Sequence, residues 1–579
     1  MFFLAPLLWR GVGVRSDYAQ FLLMNTTTKI TWLILICAAS FSCSKKDNGT
    51  TEPPAQQPKP FDATSVTING QVYTATLYNV NLNPVVKISF ASPLDENSVA
   101  NSVSIKDNTN ASVNFATAFE KSDSVLVIKP VLSALTKNVL TVATTLKSKD
   151  GGSLKTAVTA TFISQIDSTD KFNRISDSAL LTLIQQQTFK YFWDFGHPTS
   201  GMARERNSSG DVCTTGGTGF GIMSMLVAAS RNFISRTDAL NRIQKIVSFY
   251  KNNCTAYHGA YAHWINGATG ATVPFSDKDD GADLVETSYL MQGLLCARQY
   301  FNSATADETN LRNDINNLWN AVDWNWFRQN GQNVLYWHWS PNYQWAINQQ
   351  ITGWNEAMIV YVLAASSNTS AITKNVYDNG WAKNGAIKNG NSYYGIKLPL
   401  GPNLGGPLFF AHYSFLGINP HDLSDAYANY FTQDTAHTKI NYHYCVDNPN
   451  HFYGYSNLCW GLTASDEEGG YSAHAPDNDN GTITPTAAIS SFPYSPIESM
   501  NALKFFYYTL GDKLWGDYGF VDALNLNNLW FADSYLAIDQ GPEIVMIENY
   551  RTGLLWNLFM SCPEIKKGMK ALGFSSPYL

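Results

Sequence analysis

The chain has 579 residues, 45% of them hydrophobic and only 15% charged, which is the composition of well-buried globular protein and excludes a disordered one. That length exceeds one ordinary core, so two or more folded units with a tail are expected. The net charge of -7 argues against nucleic acid as a partner, which would need a basic surface to displace phosphate counterions.

From Met24 the chain runs through Lys29, an apolar stretch from Ile30 to Ala39, and Ser40-Phe-Ser-Cys43. A basic start, about ten apolar residues and small residues before a cysteine form an export signal too short to span a bilayer. Cys43 is similar to a bacterial lipoprotein attachment site, although Ser40 stands where leucine is usual. Met24 is therefore read as the true start within a signal region 1–43, and Cys43 as a lipid anchor holding the protein outside the cytoplasm, facing the periplasm or the cell surface. Residues 44–62, rich in Thr, Pro, Gln and Lys, lack the apolar surface to fold and read as a tether.

Over 63–164 the pattern changes to short β-branched alternations such as Val85-Val-Lys-Ile-Ser-Phe90 and Val125-Leu-Val-Ile128, separated by turn residues. This is the signature of a small all-β sandwich. It resembles the bacterial Ig-like modules that precede secreted enzymes, and it carries no cluster of catalytic residue types.

From 170 to 579 helical runs take over, joined by aromatic and glycine-rich connections. The expected helices are Ser178 to Asp194, Gly219 to Arg231, Arg236 to Asn252, Leu284 to Phe301, Leu311 to Trp326, Gly353 to Ser366, Leu423 to Thr438, Pro496 to Leu510, Pro542 to Met560 and Pro563 to Leu572. Weaker ones lie near Thr373 and Leu526. About twelve helices over some 400 residues fit an all-α (α/α)6 barrel, with inner-helix N-termini and their loops facing one open end.

The run Thr352-Gly-Trp-Asn-Glu356 is the centre of the reading. With Thr352 as cap, Glu356 falls one turn into an apolar helix, where an unpaired charge costs several kcal/mol. It either complements the positive helix N-terminus or does chemistry. Asp283 and Glu286 fit a capping box and equally a site. Glu548 and Arg551 fit a helical pair. Asp277, Asp279, Gly281 and Asp283 hint at a calcium loop without completing its ligand register, as does Asp477 to Gly481, so no metal and no cofactor is expected. No nucleophile elbow, phosphate loop or dinucleotide fingerprint is present. Aromatics make up 13% of the chain, with 16 Trp and 30 Tyr, and such rings suit sugars, which present apolar faces and hydroxyl rims. Carboxylates, arginines and aromatics together are what glycoside hydrolysis asks for: one acid for the leaving oxygen, one carboxylate for water, and rings to hold the sugar.

The strings Gly216-Gly-Thr-Gly-Phe-Gly221, Thr352-Gly-Trp-Asn-Glu356, Gly406-Pro-Leu-Phe-Phe-Ala-His412-Tyr413, Gly461-Leu-Thr-Ala-Ser-Asp466 and Ile538-Asp-Gln-Gly-Pro542 resemble the bacterial glucoamylase-like domain, and within it glycoside hydrolase family 144. The resemblance implies an (α/α)6 barrel and endo-β-1,2-glucanase activity with inversion. It implies Glu356 as general acid, with Asp283, Glu286 and Asp539 in the same pocket and the base open among them. Arg204, Arg206, Trp354, Asn355, His412, Tyr413, Tyr550 and Arg551 are the expected sugar contacts. A β-glucan is the expected partner of a monomer. The alternatives are a non-catalytic surface glycan-binding protein, an exo-acting hydrolase of another linkage, and a lyase or phosphorylase on the same barrel.

Overall fold

A computed structural model describes residues 57–579. The signal region, Met24, Cys43 and most of the expected tether lie outside the described residues. The chain divides into two compact units, Met1–Gln165 and Ile166–Leu579.

Among the described residues the first unit holds nine strands: β1 (Ala63–Ile68), β2 (Gln71–Val72), β3 (Leu77–Val80), β4 (Val86–Phe90), β5 (Val103–Lys106), β6 (Phe115–Glu120), β7 (Val125–Pro130), β8 (Lys137–Val142) and β9 (Val158–Ser164). They form one sheet in the order β2-β1-β4-β7-β6 and a second in the order β3-β9-β8-β5. Alternation explains the architecture. In β4 the residues Val86, Ile88 and Phe90 point inward, and in β8 Leu140 and Val142 do, so each sheet buries one face. Both inner faces meet in one core that includes Val86, Ile88, Leu126, Ile128, Ile105, Leu140 and Phe162, which makes the unit a β-sandwich. Phe61 belongs to that core at 3% exposure. The tether expected over 44–62 therefore stops short of Phe61, because a large aromatic next to a strand is buried with it.

The second unit is helical. Among the described residues it has twelve α-helices of at least six residues: α1 (Asp177–Trp193), α2 (Thr215–Ser230), α3 (Arg236–Asn252), α4 (Leu284–Tyr300), α5 (Ala306–Ala321), α6 (Met358–Ser366), α7 (Tyr430–Asp447), α8 (Pro485–Ser490), α9 (Pro496–Lys504), α10 (Ala537–Thr552), α11 (Leu554–Met560) and α12 (Pro563–Leu572). Two kinds are evident. Helices α2, α4 and α6 are buried on nearly every face, as sequences apolar all round require. Helices α3 and α5 bury one stripe, Leu240, Ile243 and Val247 in the first and Leu311, Ile315 and Leu318 in the second. The buried set packs in sequence: α10 on α2, α2 on α4, α4 on α6, and α8 on α10. Glycine permits the closest of these crossings. A Cβ on Gly219 would stand 2.2 Å from the Tyr289 carbonyl oxygen, and one on Gly293 2.3 Å from that of Gly219, so α2 and α4 touch backbone to backbone.

Several expected boundaries shift. The helix placed over Gly353 to Ser366 begins at Met358, with Ala357 at its N-cap, so Thr352 caps nothing. The segment read as Pro542 to Met560 is two helices separated by Gly553, whose φ of 69° breaks the run. Pro542 is the sixth residue of α10 and not its start. The expected Leu311 to Trp326 helix starts a turn earlier, where Thr305 accepts from the Glu308 amide. The one expected at Leu423 starts at Tyr430, after an Asn429 cap. The helix expected to run from Pro496 to Leu510 leaves α-helical geometry at Phe505 for a wider turn. No helix forms near Leu526, which lies between the paired strands Leu524–Asn525 and Trp530–Phe531. All six cysteines of the described residues are free thiols.

Candidate active site

Two buried acidic groups stand at the N-terminal ends of the buried helices. Those ends converge: a Cβ on Gly217 in α2 would fall 2.7 Å from Ala537 Cβ in α10, and the Gly216 amide of α2 donates to Glu286 Oε2 of α4 at 2.7 Å.

The first group is built on the start of α4. Asp283 is the N-cap: its Oδ1 accepts from the amides of Val285 and Glu286, both at 2.9 Å. Its Oδ2 accepts from His263 Nδ1 at 2.9 Å. Asp283 also pairs with His338 across a two-stranded ladder formed by Ala282–Asp283 and His338–Trp339, and His338 Nε2 lies 3.3 Å from Asp279 Oδ2. Only half of the expected capping box exists. The Asp283 amide donates to the Tyr261 carbonyl, while Glu286 turns its Oε2 to the Gly216 amide and the Thr214 hydroxyl, the latter at 3.1 Å. Glu286 thus ties α4 to the start of α2.

Glu356 completes this group. It stands two residues before α6, partly exposed, with its carbonyl held by the Ser414 hydroxyl at 2.5 Å and the Tyr289 hydroxyl at 3.3 Å. Burial, joined by the charges of Glu286 and Asp283, pushes its carboxyl up to about 7. Burial would raise Asp283 too, but the hydrogen bond from His263 and the charge of that imidazolium hold it below the usual carboxylate range. His263 resists the lowering effect of burial because Glu286 and Asp283 favour its cation, and it rises to about 9. Asp279 rises to about 7 through burial and the Asp283 charge. His338, pushed by burial down to about 4, is neutral.

The second group gathers around Arg206. Its Nη1 donates to both oxygens of Asp466, at 3.0 and 3.1 Å, and its Nε to both of Glu205, at 3.0 and 2.9 Å. Asp466 accepts from the Ser534 hydroxyl at 2.5 Å, and its amide donates to Asp522 Oδ2 at 2.6 Å. Asp522 is hydrogen-bonded to Asp539 in the first turn of α10. Burial and the Asp466 charge push Asp522 up to about 7, and burial with Asp522 beside it pushes Asp539 well above the carboxylate range. Such a pair shares a proton and carries a single charge between its members. Tyr413 lines a small pocket with Asp539, and the neighbouring Ser414 holds the Glu356 carbonyl. A cavity of about 280 Å³ opens beside Asp466, bounded also by Glu467, Trp530, Phe531, Asp533 and Ser534.

The structure therefore gathers Glu356, Asp283 and Glu286 in one group, and Arg206 with Asp539 in the other. His412 and Tyr413 line one small pocket with Asp539, whereas the other expected contacts are not gathered there. Trp354 is 4% exposed and donates its Nε1 to His437 Nδ1, so its indole faces the core. Asn355 spends its Oδ1 on the Ala357 amide at 2.9 Å. His412, 2% exposed and held to the Ser491 hydroxyl at 3.0 Å, backs Tyr413 and is lowered by burial to about 3. Arg204 lays its guanidinium over the Phe195 ring at 4.4 Å. Tyr550 and Arg551 sit at the other end of α10 from Asp539, about 17 Å away along the axis. There Arg551 donates to Thr182 and Gln185, and Glu548 pairs with Arg231 and not with Arg551. Sequence reasoning missed His263, His338, Asp279 and Asp522 as site residues. The acidic run from Asp277 to Asp283 offered a signal for Asp279, whereas the two histidines sit in aromatic loops without ligand spacing.

Residues 348–563 match the family model described as "Putative glucoamylase". An endo-β-1,2-glucanase from Chitinophaga pinensis, solved with sophorotriose and glucose, is 50% identical with a TM-score of 0.69, and the match covers 70% of this chain and 100% of that one. A putative glucoamylase from Bacteroides uniformis is 57% identical with a TM-score of 0.70 over the same shares. An exo β-1,2-glucooligosaccharide sophorohydrolase from Parabacteroides distasonis is 46% identical over 420 residues, 69% of this chain. The chain spans 58% of the length of that curated relative. By identity, coverage and shared architecture, the chain belongs to the glucoamylase-like family, glycoside hydrolase family 144.

Proposed function

We propose that the chain is a glycoside hydrolase that cleaves linear β-1,2-glucan internally and with inversion, with Glu356 as general acid. The observation that carries this reading is the state of Glu356: its carboxyl, lifted to about 7 by burial and by the charges of Glu286 and Asp283, holds a proton near neutral pH and can give it to a leaving oxygen. Asp283 and Glu286 are tied down by backbone amides, and their role is to hold that proton on Glu356. The Asp522 and Asp539 pair shares one proton. Its ionised member accepts the proton of the attacking water, directly or through a sugar hydroxyl. Arg206 keeps the charge of that group bounded.

Support for internal cleavage is the identity to the Chitinophaga pinensis endo-enzyme over all of that chain. A second reading, release of sophorose from a chain end, is favoured by the 46% identity to the sophorohydrolase. Closure of the buried helices into an (α/α)6 barrel fits the packing of α8, α10, α2, α4 and α6 in turn. The export signal and Cys43 support an acylated monomer that meets its glucan outside the cytoplasm. Product sizes over time from linear β-1,2-glucan test the reading. A ladder of oligosaccharides from the first minutes supports internal cleavage, sophorose alone supports the second reading, and intact polymer would contradict both.

A further inference from the structure

The cavity of about 280 Å³ beside Asp466 is walled by two β-hairpins that lie outside the group around Glu356. One pairs Ala464–Glu467 with Gly470–Ala473, and the other pairs Leu524–Asn525 with Trp530–Phe531. Hydrogen bonds lock them together. Asn528 of the second donates to Glu468 Oε2 of the first at 2.7 Å, and the Asp466 amide donates to Asp522 Oδ2 at 2.6 Å. Asn480 Nδ2 holds Glu467 through Oε2 at 2.6 Å. The walls are fixed before anything binds, which lowers the entropy lost on binding.

The lining combines two chemistries. Trp530 and Phe531, both partly exposed, offer aromatic rings, and Glu467 and Asp533 offer acidic side chains, while the Ser534 hydroxyl is spent on Asp466. A sugar ring needs this combination, because its apolar C–H face lies on an aromatic and its hydroxyls donate to carboxylates. A carboxylate held through one oxygen, as Glu467 is, still accepts through the other. Charge narrows the ligand. No cationic side chain is among the described residues lining the cavity, so a neutral polyol is favoured and an anionic ring repelled. Volume narrows it again: small-molecule sites run from about 300 Å³ upward, and about 280 Å³ takes a single ring. Asp466 and Asp522 join this cavity to Asp539.

We propose that this cavity is a subsite for one neutral glucosyl unit of the glucan, with Trp530 as its platform and Glu467 as acceptor for its hydroxyls. The identity of the sugar rests on the hydrolase reading, and Trp530 becomes a residue that sets chain-length preference. The experiment measures kcat/KM of the full chain on linear β-1,2-glucooligosaccharides of increasing length. In Trp530→Ala the gain made when an oligosaccharide grows long enough to fill the cavity is expected to shrink about tenfold. The shortest cleaved oligosaccharide is expected to stay within about twofold of wild type, with the melting midpoint unchanged. Trp530→Phe is expected to restore most of the gain and Glu467→Gln to lose part of it, and Glu467→Gln carries the comparison should Trp530→Ala melt early. Length profiles that coincide with the wild type, or that fall equally at every length, would overturn the proposal. Should the wild type cleave none of the series, the hydrolase reading fails on its own. Calorimetric affinities for the same series then replace kcat/KM, with the same expected loss and the same overturning results.

Discussion

The Gly216 amide donates to Glu286 Oε2 at 2.7 Å, and with the Thr214 hydroxyl at 3.1 Å it fixes a carboxylate of α4 against the first turn of α2. Burial raises the Glu286 carboxyl, and the amide at the helix N-terminus and the Thr214 hydroxyl oppose that rise. A side chain at 216 has no room: its Cβ would lie 2.6 Å from Glu286 Oε2 and 2.8 Å from the Tyr289 ring. Gly216→Ala is expected to cost about 1–3 kcal/mol, divided between the melting midpoint and kcat/KM. A variant with both values at the wild-type level would show that the carboxylate is not held there.

With Glu356 as the proposed general acid, its proton is expected to set the alkaline side of the rate profile. Its carboxyl titrates at about 7, so the competent protonated form is full well below that pH and is lost as pH rises through it. Turnover of β-1,2-glucan is expected to fall about tenfold per pH unit above the titration point. A profile flat from pH 6 to 9 would exclude an acid with this titration.

Glu543 offers a stability experiment away from the chemistry. It is fully buried, its Oε2 accepts from Thr188 at 3.0 Å, its Oε1 has no partner, and burial lifts its carboxyl to about 8. Between the ordinary carboxylate value and about 8 the folded state holds a proton that the unfolded chain has released, so stability declines as pH rises across that window. Glu543→Gln removes the titration. The variant is expected to melt at the wild-type temperature near pH 4.5 and above it at pH 8, by an amount on the order of 1–3 kcal/mol. Parallel melting curves at both pH values would show that Glu543 is solvated.

Tyr550 tests which end of α10 works. The ring is 46% exposed and lies at the C-terminal end, opposite Asp539. Tyr550→Ala is expected to leave kcat/KM within about twofold, the scale of an ordinary surface change. A loss of tenfold or more would place substrate at that end.

Much of this was legible in the sequence, because local rules and tertiary structure agree in the regular parts. The alternation in Val86 to Phe90 gave a strand with one buried face, and the all-round apolar run from Met358 to Ser366 gave a buried helix. The site was legible where a motif doubled as helix-start chemistry, as at Asp283 and Glu286. It was not legible where loops from distant segments meet. His338 reaches Asp283 only through a two-residue ladder, Asp522 reaches Asp539 from a loop of its own, and nothing in their neighbours marks either. Trp354 misled for a physical reason: an indole beside a carboxylate suits a sugar face, yet here its Nε1 finds His437 in the core. Tyr550 and Arg551 misled because the same helix carries Asp539 at its opposite end.

The role of Glu356 as proton donor is tested most directly by comparing Glu356→Gln with the wild type on two substrates: linear β-1,2-glucan, whose leaving group needs a proton, and an aryl β-sophoroside, whose leaving group does not. Loss of about 10²–10⁴-fold on the glucan with near-wild-type turnover of the aryl substrate is the predicted result. Equal losses on both substrates, or none on the glucan, would contradict the assignment.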